Sequence, residues 1–291
     1  MSSGYPGDEA FLKKLADQGA HLGNNFFLCT ADGKVLGAND RALATWLAKW
    51  RQLPEAQRRP GAITIEDRGR PDPKKASPRP PENGLILKAY LRVLARDPAG
   101  KLYAPPMTRE FYVGGKRYWD DGEPNRDFVW LTAAEWKALL PAQPKAGETV
   151  PMPATVRDRL FRFHLVDGAT CLSWPWKPEH LRAGELTLTV EAVTAEEVRM
   201  RLAGFARLGP SDADAVEYRL LGVLSFDPGP RTFTRFDVVA VSETGHHDKT
   251  TNTRKPLGIA FELVRDDTPA NRRPPRGTHD HGLAGYLGTG N

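Results

Sequence analysis

The chain has 291 residues, of which 40% are hydrophobic and 26% charged, and its formal net charge is +5. That composition is typical of globular proteins, and the length suffices for about two domains with cores that need no disulfides. No apolar run is long enough for a membrane-spanning helix, which excludes an integral helical membrane protein. The first ten residues carry no secretory signal, so with Met1 as the start we expect a cytoplasmic protein.

The motifs of the common enzyme classes are absent from the sequence. Its two cysteines, Cys29 and Cys171, form neither a disulfide framework, nor a CxxC redox pair, nor a four-cysteine zinc site. The glycine-rich nucleotide loops, the GxSxG elbow of hydrolases and the HExxH zinc motif are missing as well. We therefore expect no cofactor, and the sequence favours a protein that is not an enzyme.

The positive charge is concentrated in one proline-rich stretch. Residues 58–79 contain seven basic and three acidic side chains, and six prolines fall within residues 59–84. Nucleic-acid-binding surfaces usually interleave aromatic residues with the basic ones, and this stretch has none. The pattern favours a self-repelling linker over residues 59–84, with a tether for nucleic acid or an anionic surface as the alternative. The expected partner is thus a protein or small ligand rather than nucleic acid.

Residues 1–58 are predicted to form a helix, a two-stranded hairpin and a second helix. Amphipathic spacing predicts a helix over residues 9–18, and an apolar run predicts a strand over residues 25–30. Ala31-Asp32-Gly33-Lys34 is a hairpin turn signal before a second strand that opens at Val35. A second helix is predicted for about residues 41–53.

The string from Asn24 to Leu36, NNFFLCTADGKVL, with a helix on each side, resembles the C-terminal half of a thioredoxin-like fold. The whole chain also resembles uncharacterised thioredoxin-like proteins of the planctomycete type, a bacterial group, through WLTAAEWKALLP and LFRFHLV. The resemblance implies a partial α-β-β-α segment. The chain departs from the family in having no CxxC, and Asn24 stands where the family has a cis-proline beside the hairpin.

From Leu85 onward the pattern predicts mainly β-structure. Strands are expected over residues 85–96, 110–119 and 128–131, followed by a helix over residues 133–140 that the capping box Thr132–Glu135 begins. A further short helix is expected over residues 153–160. Strict alternation between residues 184 and 264 predicts an antiparallel meander in an open sheet, a sandwich or a half-barrel. We predict an α+β protein with a β-rich domain over residues 85–265 and a disordered tail over residues 266–291.

Two clusters are candidate sites. Trp174 and Trp176 flank a proline, and with His180 they form a candidate aromatic binding platform; alternatively, the loop folds its indoles back over the sheet edge. His246, His247 and Asp248 are metal-ligand residue types in a presumed connection between strands, where they could converge on a metal; alternatively, this is a solvated loop.

Three functions follow from these patterns. The leading hypothesis is a non-catalytic structural or ligand-binding or partner-binding protein of thioredoxin-like ancestry. The second is a thiol-disulfide redox protein whose CxxC half is encoded upstream of Met1. The third is a metal-dependent enzyme that uses the histidines of residues 246–248.

Overall fold

The computed structural model describes residues 6–20, 27–30, 33–38, 42–58, 77–105, 125–170, 174–248, 251–266 and 268–288. The chain divides into two compact units, Met1–Ser77 and Pro78–Asn291, which we call the N-terminal unit and the β unit. The predicted linker over residues 59–84 lies largely outside the described residues. The predicted strand over residues 110–119 lies wholly outside them. None of the described helices has the length and apolar character needed to cross a bilayer.

In the N-terminal unit one helix precedes a small hairpin in the sequence and two helices follow it. Its elements are α1 (Pro6–Asp17), β1 (Phe27–Cys29), β2 (Val35–Ala38), α2 (Leu43–Arg51) and α3 (Glu55–Arg58). Gln18 joins α1 to the hairpin, because its side-chain amide donates to the Gly33 carbonyl at 2.7 Å and accepts from the Val35 N–H at 3.0 Å. Trp46 of α2 is buried against Gly37, where a Cβ would collide with the indole. The hairpin and its flanking helices therefore lie where the sequence places them.

The β unit is built on one open sheet of eight antiparallel strands in the order β6-β3-β12-β11-β10-β9-β8-β7. Its strands are β3 (Leu85–Val93), β6 (Asn125–Leu131), β7 (Thr149–Pro151), β8 (Leu181–Val193), β9 (Val198–Leu208), β10 (Val216–Asp227), β11 (Thr232–Asp248) and β12 (Thr253–Leu263); β4 (Ala95–Arg96) and β5 (Leu102–Tyr103) pair separately. The fold is thus α+β, as predicted. The predicted antiparallel meander is present from β8 to β12, β3 pairs with β12, and β6 and β7 are the two edge strands.

The core of the β unit lies on one face of this sheet. Every second residue of β3 is buried, and the alternation continues across the other long strands. Buried residues from Leu139 to Leu165 cover that face, including Val156 of α5 (Ala154–Arg159) and Phe161 of the π-helical turn Leu160–His164. The predicted helix over residues 133–140 is the shorter α4 (Ala133–Lys137), and its capping box is present as predicted.

The C-terminal segment is ordered, so the prediction of a disordered tail over residues 266–291 is wrong for the described residues. A 3₁₀ turn, Pro269–Arg272, is followed by α6 (Gly277–Leu287), which is broken at Gly282. Tyr286 of α6 is 1% exposed and packs with Phe128, Trp130 and Phe163 in a second small core. Glycine-rich and histidine-rich residues carry little helical periodicity, and it is this burial that stabilises the segment.

Side chains from other elements cover the edge strand β6. The Trp130 N–H donates to the Tyr286 hydroxyl at 3.3 Å, and the Trp130 carbonyl accepts from Arg159 at 3.1 Å. The Arg126 carbonyl accepts from Arg276 at 3.2 Å. Unpaired edge strands can pair with other chains, and these contacts occupy backbone groups that would otherwise be available for such pairing.

A buried series of hydrogen bonds connects β6 to α6. Asp127 accepts from Nδ1 of His164 at 3.1 Å, and Nε2 of His164 lies 2.8 Å from the Tyr286 hydroxyl. Burial alone would raise the pKa of Asp127, but the hydrogen bond and charge of His164, with the backbone N–H and charge of Arg276, outweigh burial and hold that pKa below its ordinary value. An Asp–His–hydroxyl chain also occurs in nucleophilic sites. Here His164 and Tyr286 are buried, so this series of hydrogen bonds serves to hold α6 in place.

The lowered pKa of Asp127 predicts a loss of stability in acid. A carboxyl group whose pKa is depressed by folding contributes stability above its unfolded pKa of about 3.9, and that contribution disappears as the pH falls through the folded pKa. Asp127→Asn should therefore be less stable than the natural chain at pH 7, and the difference should narrow below about pH 4. Chemical unfolding followed by tryptophan fluorescence between pH 7 and pH 3 measures the free energy of unfolding of the two proteins. A difference independent of pH would contradict the role of Asp127.

Candidate functional site

An open groove of about 1110 Å³ lies in the β unit where three neighbouring strands begin or end. Its floor is formed by the start of β3, the start of β11 and the end of β12, and its walls are residues 78–84 and the 3₁₀ turn Pro269–Arg272. A smaller cavity of about 290 Å³ shares residues 263–266 and Asn271 with it and extends toward Lys88 and Glu262. We call this combined surface the groove.

The first wall of the groove is fixed by bonds to the rest of the unit. Asn83 has a positive φ of 52°, and its carbonyl accepts from the indole N–H of Trp136 at 2.9 Å. The Gly84 N–H donates to the Pro81 carbonyl at 3.0 Å, and a Cβ at Gly84 would lie 2.6 Å from the Leu131 carbonyl oxygen. Together with the prolines Pro78, Pro80 and Pro81 these contacts make the wall rigid.

The second wall and the floor each have a defined contact. Asn271 in the 3₁₀ turn donates to the Asp266 carbonyl at 2.9 Å. On the floor, Phe233 is 4% exposed and packs edge-on against Trp136, with 6.1 Å between the ring centroids. The floor and the first wall thus both pack on Trp136, and such order lowers the entropic cost of binding.

Positive charge predominates in the groove. Three arginines, Arg79, Arg265 and Arg272, contribute to its lining, whereas Asp266 is the one acidic residue of the larger cavity's described lining. The Arg265 side chain is held in place because it donates to the Thr234 carbonyl at 3.1 Å. The three arginines come from the segment before β3, the residues after β12 and the 3₁₀ turn, which are three different parts of the groove.

Sequence reasoning did not identify this groove. Arg79 lies in the stretch interpreted as a linker, Arg265 is the last residue of the predicted β-rich domain, and Arg272 lies in the stretch interpreted as a disordered tail, so the first is more than 180 residues from the other two. Proline and arginine at both ends of the β region were the only available signal, and that composition is equally typical of unfolded segments.

The structure separates the two tryptophans of the predicted platform. Trp174 is 72% exposed, whereas Trp176 packs against the core and donates from its indole to the Leu165 carbonyl at 2.7 Å. The His180 ring stands edge-on to Trp176 at 5.9 Å, and its Nδ1 is buried without a hydrogen-bond partner in the described part of the chain. Trp176 therefore holds this loop in place, and Trp174 is the indole that a ligand could reach.

This separation predicts unequal effects of two alanine substitutions. Trp176→Ala should lower the free energy of unfolding by about 2–4 kcal/mol, since it opens a cavity and removes the bond to Leu165. Trp174→Ala should change it by less than about 0.5 kcal/mol, because the indole is in solvent. Urea unfolding of both variants measures the difference. Equal losses would show that the two indoles pack alike.

The predicted metal ligands His246, His247 and Asp248 lie in β11 rather than in a connection, so that placement is wrong. A register shift between Ser242 and His246 lets the strand continue beyond the polar residues that suggested a loop. His246 is 5% exposed, and its Nδ1 lies 3.0 Å from both carboxylate oxygens of Asp167.

The three predicted ligands are each engaged by a different partner. His247 bonds through Nε2 to the Asn252 side-chain oxygen at 3.0 Å, and Asp248 forms an ion pair with Lys255 at 2.7 Å. Successive strand residues point to opposite faces, so His246 and His247 diverge. Among the described residues no group of three or more histidines, cysteines or carboxylates is placed to hold a metal ion. Cys171 lies outside the described residues.

Comparisons of this chain with protein-family models, curated proteins and solved structures found no match.

Proposed function

We propose that this chain is a non-catalytic binding protein whose β unit holds a protein partner in the groove. The observation that carries the proposal is an open cavity of about 1110 Å³, whose first wall bonds to Trp136 and whose second wall carries the bond from Asn271 to Asp266. This volume lies at the upper end of the usual range of about 300–1,000 Å³ for small-molecule sites, so the cavity has room for a segment of another protein.

The non-catalytic part of the proposal rests on how the histidine–carboxylate pairs are used. His164 is buried between Asp127 and Tyr286, and His246 is buried against Asp167. Each pair braces two elements of the β unit, at positions away from the groove lining. The described lining of the larger cavity has one carboxylate, Asp266, and no histidine beside it; its arginines, prolines and backbone groups bind rather than transfer protons.

For the N-terminal unit the proposal retains a thioredoxin-like ancestry. Its support is the order α1-β1-β2-α2, which matches the closing half of that fold. An experimentally determined structure tests this ancestry. Helices on opposite faces of the hairpin, as in that fold, would support it, and both helices packed on one face would contradict it.

Selection of peptides from an unbiased display library tests the proposed function. The complete chain is immobilised beside two variants, Thr234→Trp, which fills the groove, and Val239→Trp, which adds the same ring to an exposed position of β11 outside the groove. We expect peptide families enriched on the natural chain and on Val239→Trp but lost on Thr234→Trp. Families that bind all three proteins alike, or no enriched family at all, would contradict the proposal.

A further inference from the structure

We propose that the groove selects extended peptides that carry several acidic side chains. This inference rests on the proposed function and adds the chemistry of the partner. Among the residues of the larger cavity's lining that the structure describes, three arginines stand against one aspartate, so positive charge is in excess there. In the smaller cavity Lys88 and Glu262 offset each other, so the excess belongs to the part of the groove between its two walls.

The arrangement of the arginines favours several carboxylates rather than one. Arg79 comes from the segment before β3, Arg265 follows the end of β12, and Arg272 lies in the 3₁₀ turn. A guanidinium group has five N–H donors in a planar fork that matches a carboxylate. The bond from Arg265 to Thr234 uses one N–H and fixes the direction of the fork. A peptide in the groove with several carboxylates could therefore pair with more than one arginine.

The remaining lining suits a polypeptide. Proline rings from Pro78, Pro80, Pro81 and Pro269 provide apolar contact surface without N–H donors. The aromatic ring in the groove's described lining, Phe233, is buried at 4% exposure and offers no stacking platform for nucleobases. Single-stranded nucleic acids depend on such stacking, so the lining favours an acidic peptide over an oligonucleotide.

The charge of the groove also acts on a partner before contact. Arg79, Arg265 and Arg272 are basic residues of its described lining. Like charges in a cleft raise the local concentration of oppositely charged partners and speed their association. An acidic partner would therefore be attracted to the groove by charge and oriented there by the arginines.

Fluorescence anisotropy with defined peptides tests the inference on the complete chain. The probes are a labelled twelve-residue peptide of alternating glutamate and alanine, its glutamine analogue and a twelve-nucleotide oligothymidine. We expect the glutamate peptide to bind at least about tenfold more tightly than the glutamine analogue, and to weaken as the salt concentration rises. Oligothymidine binding with the same dependence on the groove arginines would overturn the assignment to a peptide.

Charge reversal locates the effect. Arg79→Glu should weaken binding of the glutamate peptide about fivefold or more, since an exposed ion pair contributes up to about 1 kcal/mol and reversal also adds repulsion. Arg219→Glu makes the same change of net charge on an exposed strand outside the groove, with a side chain 85% exposed, and should leave binding unchanged. Circular dichroism checks that both variants are folded.

The outcomes separate this inference from the proposed function. Equal effects of the two reversals would show attraction by net charge alone and overturn the inference. Equal affinity for the glutamate and glutamine peptides, lost in Thr234→Trp, would retain the groove as a binding site and overturn its acidic preference. If neither peptide binds and the library gives no groove-dependent family, both proposals fail.

Discussion

Replacement of Arg159 by methionine should lower the free energy of unfolding of the β unit by about 3–5 kcal/mol. Arg159 is buried and forms two bonds to Glu135, at 2.5 and 2.7 Å. It also donates to the carbonyls of Trp130, Tyr286 and Leu287. One guanidinium thus satisfies a carboxylate, the edge of β6 and the last carbonyls of α6, and methionine would leave all of them without this donor.

The matched control for this change lies two residues earlier in α5. Arg157 bonds to the neighbouring Asp158 and is more exposed, so Arg157→Met should cost less than about 1 kcal/mol. Urea unfolding curves of both variants give the comparison. Similar losses would mean that Arg159 does not connect α6 to the sheet.

Tyr286→Ala should destabilise the β unit by about 3–5 kcal/mol, because it empties a fully buried position between Phe128, Trp130 and Phe163. Tyr286→Phe keeps the ring and removes the hydroxyl, which leaves His164 and the Trp130 N–H without their partner. That variant should lose about 1–3 kcal/mol. The difference between the two variants separates ring packing from hydrogen bonding.

Tyr103→Ala is the control for Tyr286, since this tyrosine is 46% exposed and should cost less than about 1 kcal/mol. Thermal and urea unfolding provide the measurements, and limited proteolysis shows whether α6 detaches. If Tyr286→Ala lost no more than Tyr103→Ala, α6 would not be docked, and the groove wall that precedes it in the chain would lose its support.

The parts of the fold with a strong local pattern were predictable from the sequence. Alternation in β8, β9 and β10 reflects a sheet with one buried face, and Thr132 with Glu135 forms the capping box that begins α4. These features depend on residues a few positions apart. Their signal therefore survives without knowledge of the tertiary structure.

The parts that were missed depend on distant contacts. The residues of α6 are helical because Tyr286 is buried and because Arg159 binds the last carbonyls of the helix. The residues that bury Tyr286 and Arg159 itself all lie more than a hundred residues before it in the sequence. The extension of β11 through His246 depends on the bulge after Ser242 and on pairing with β12. The candidate groove was missed for the same reason, since its walls come from opposite ends of the β unit.

Hydrogen–deuterium exchange of the complete chain, with and without the alternating glutamate–alanine peptide, tests the central claim most directly. The claim is that the β unit binds its partner in the groove. We predict that the peptide slows exchange over residues 82–86, 232–234 and 263–272, with little change around Trp174 and across β8 and β9. Protection confined to the Trp174 loop or to the solvent face of β8 and β9, with the groove segments unchanged, would contradict the claim.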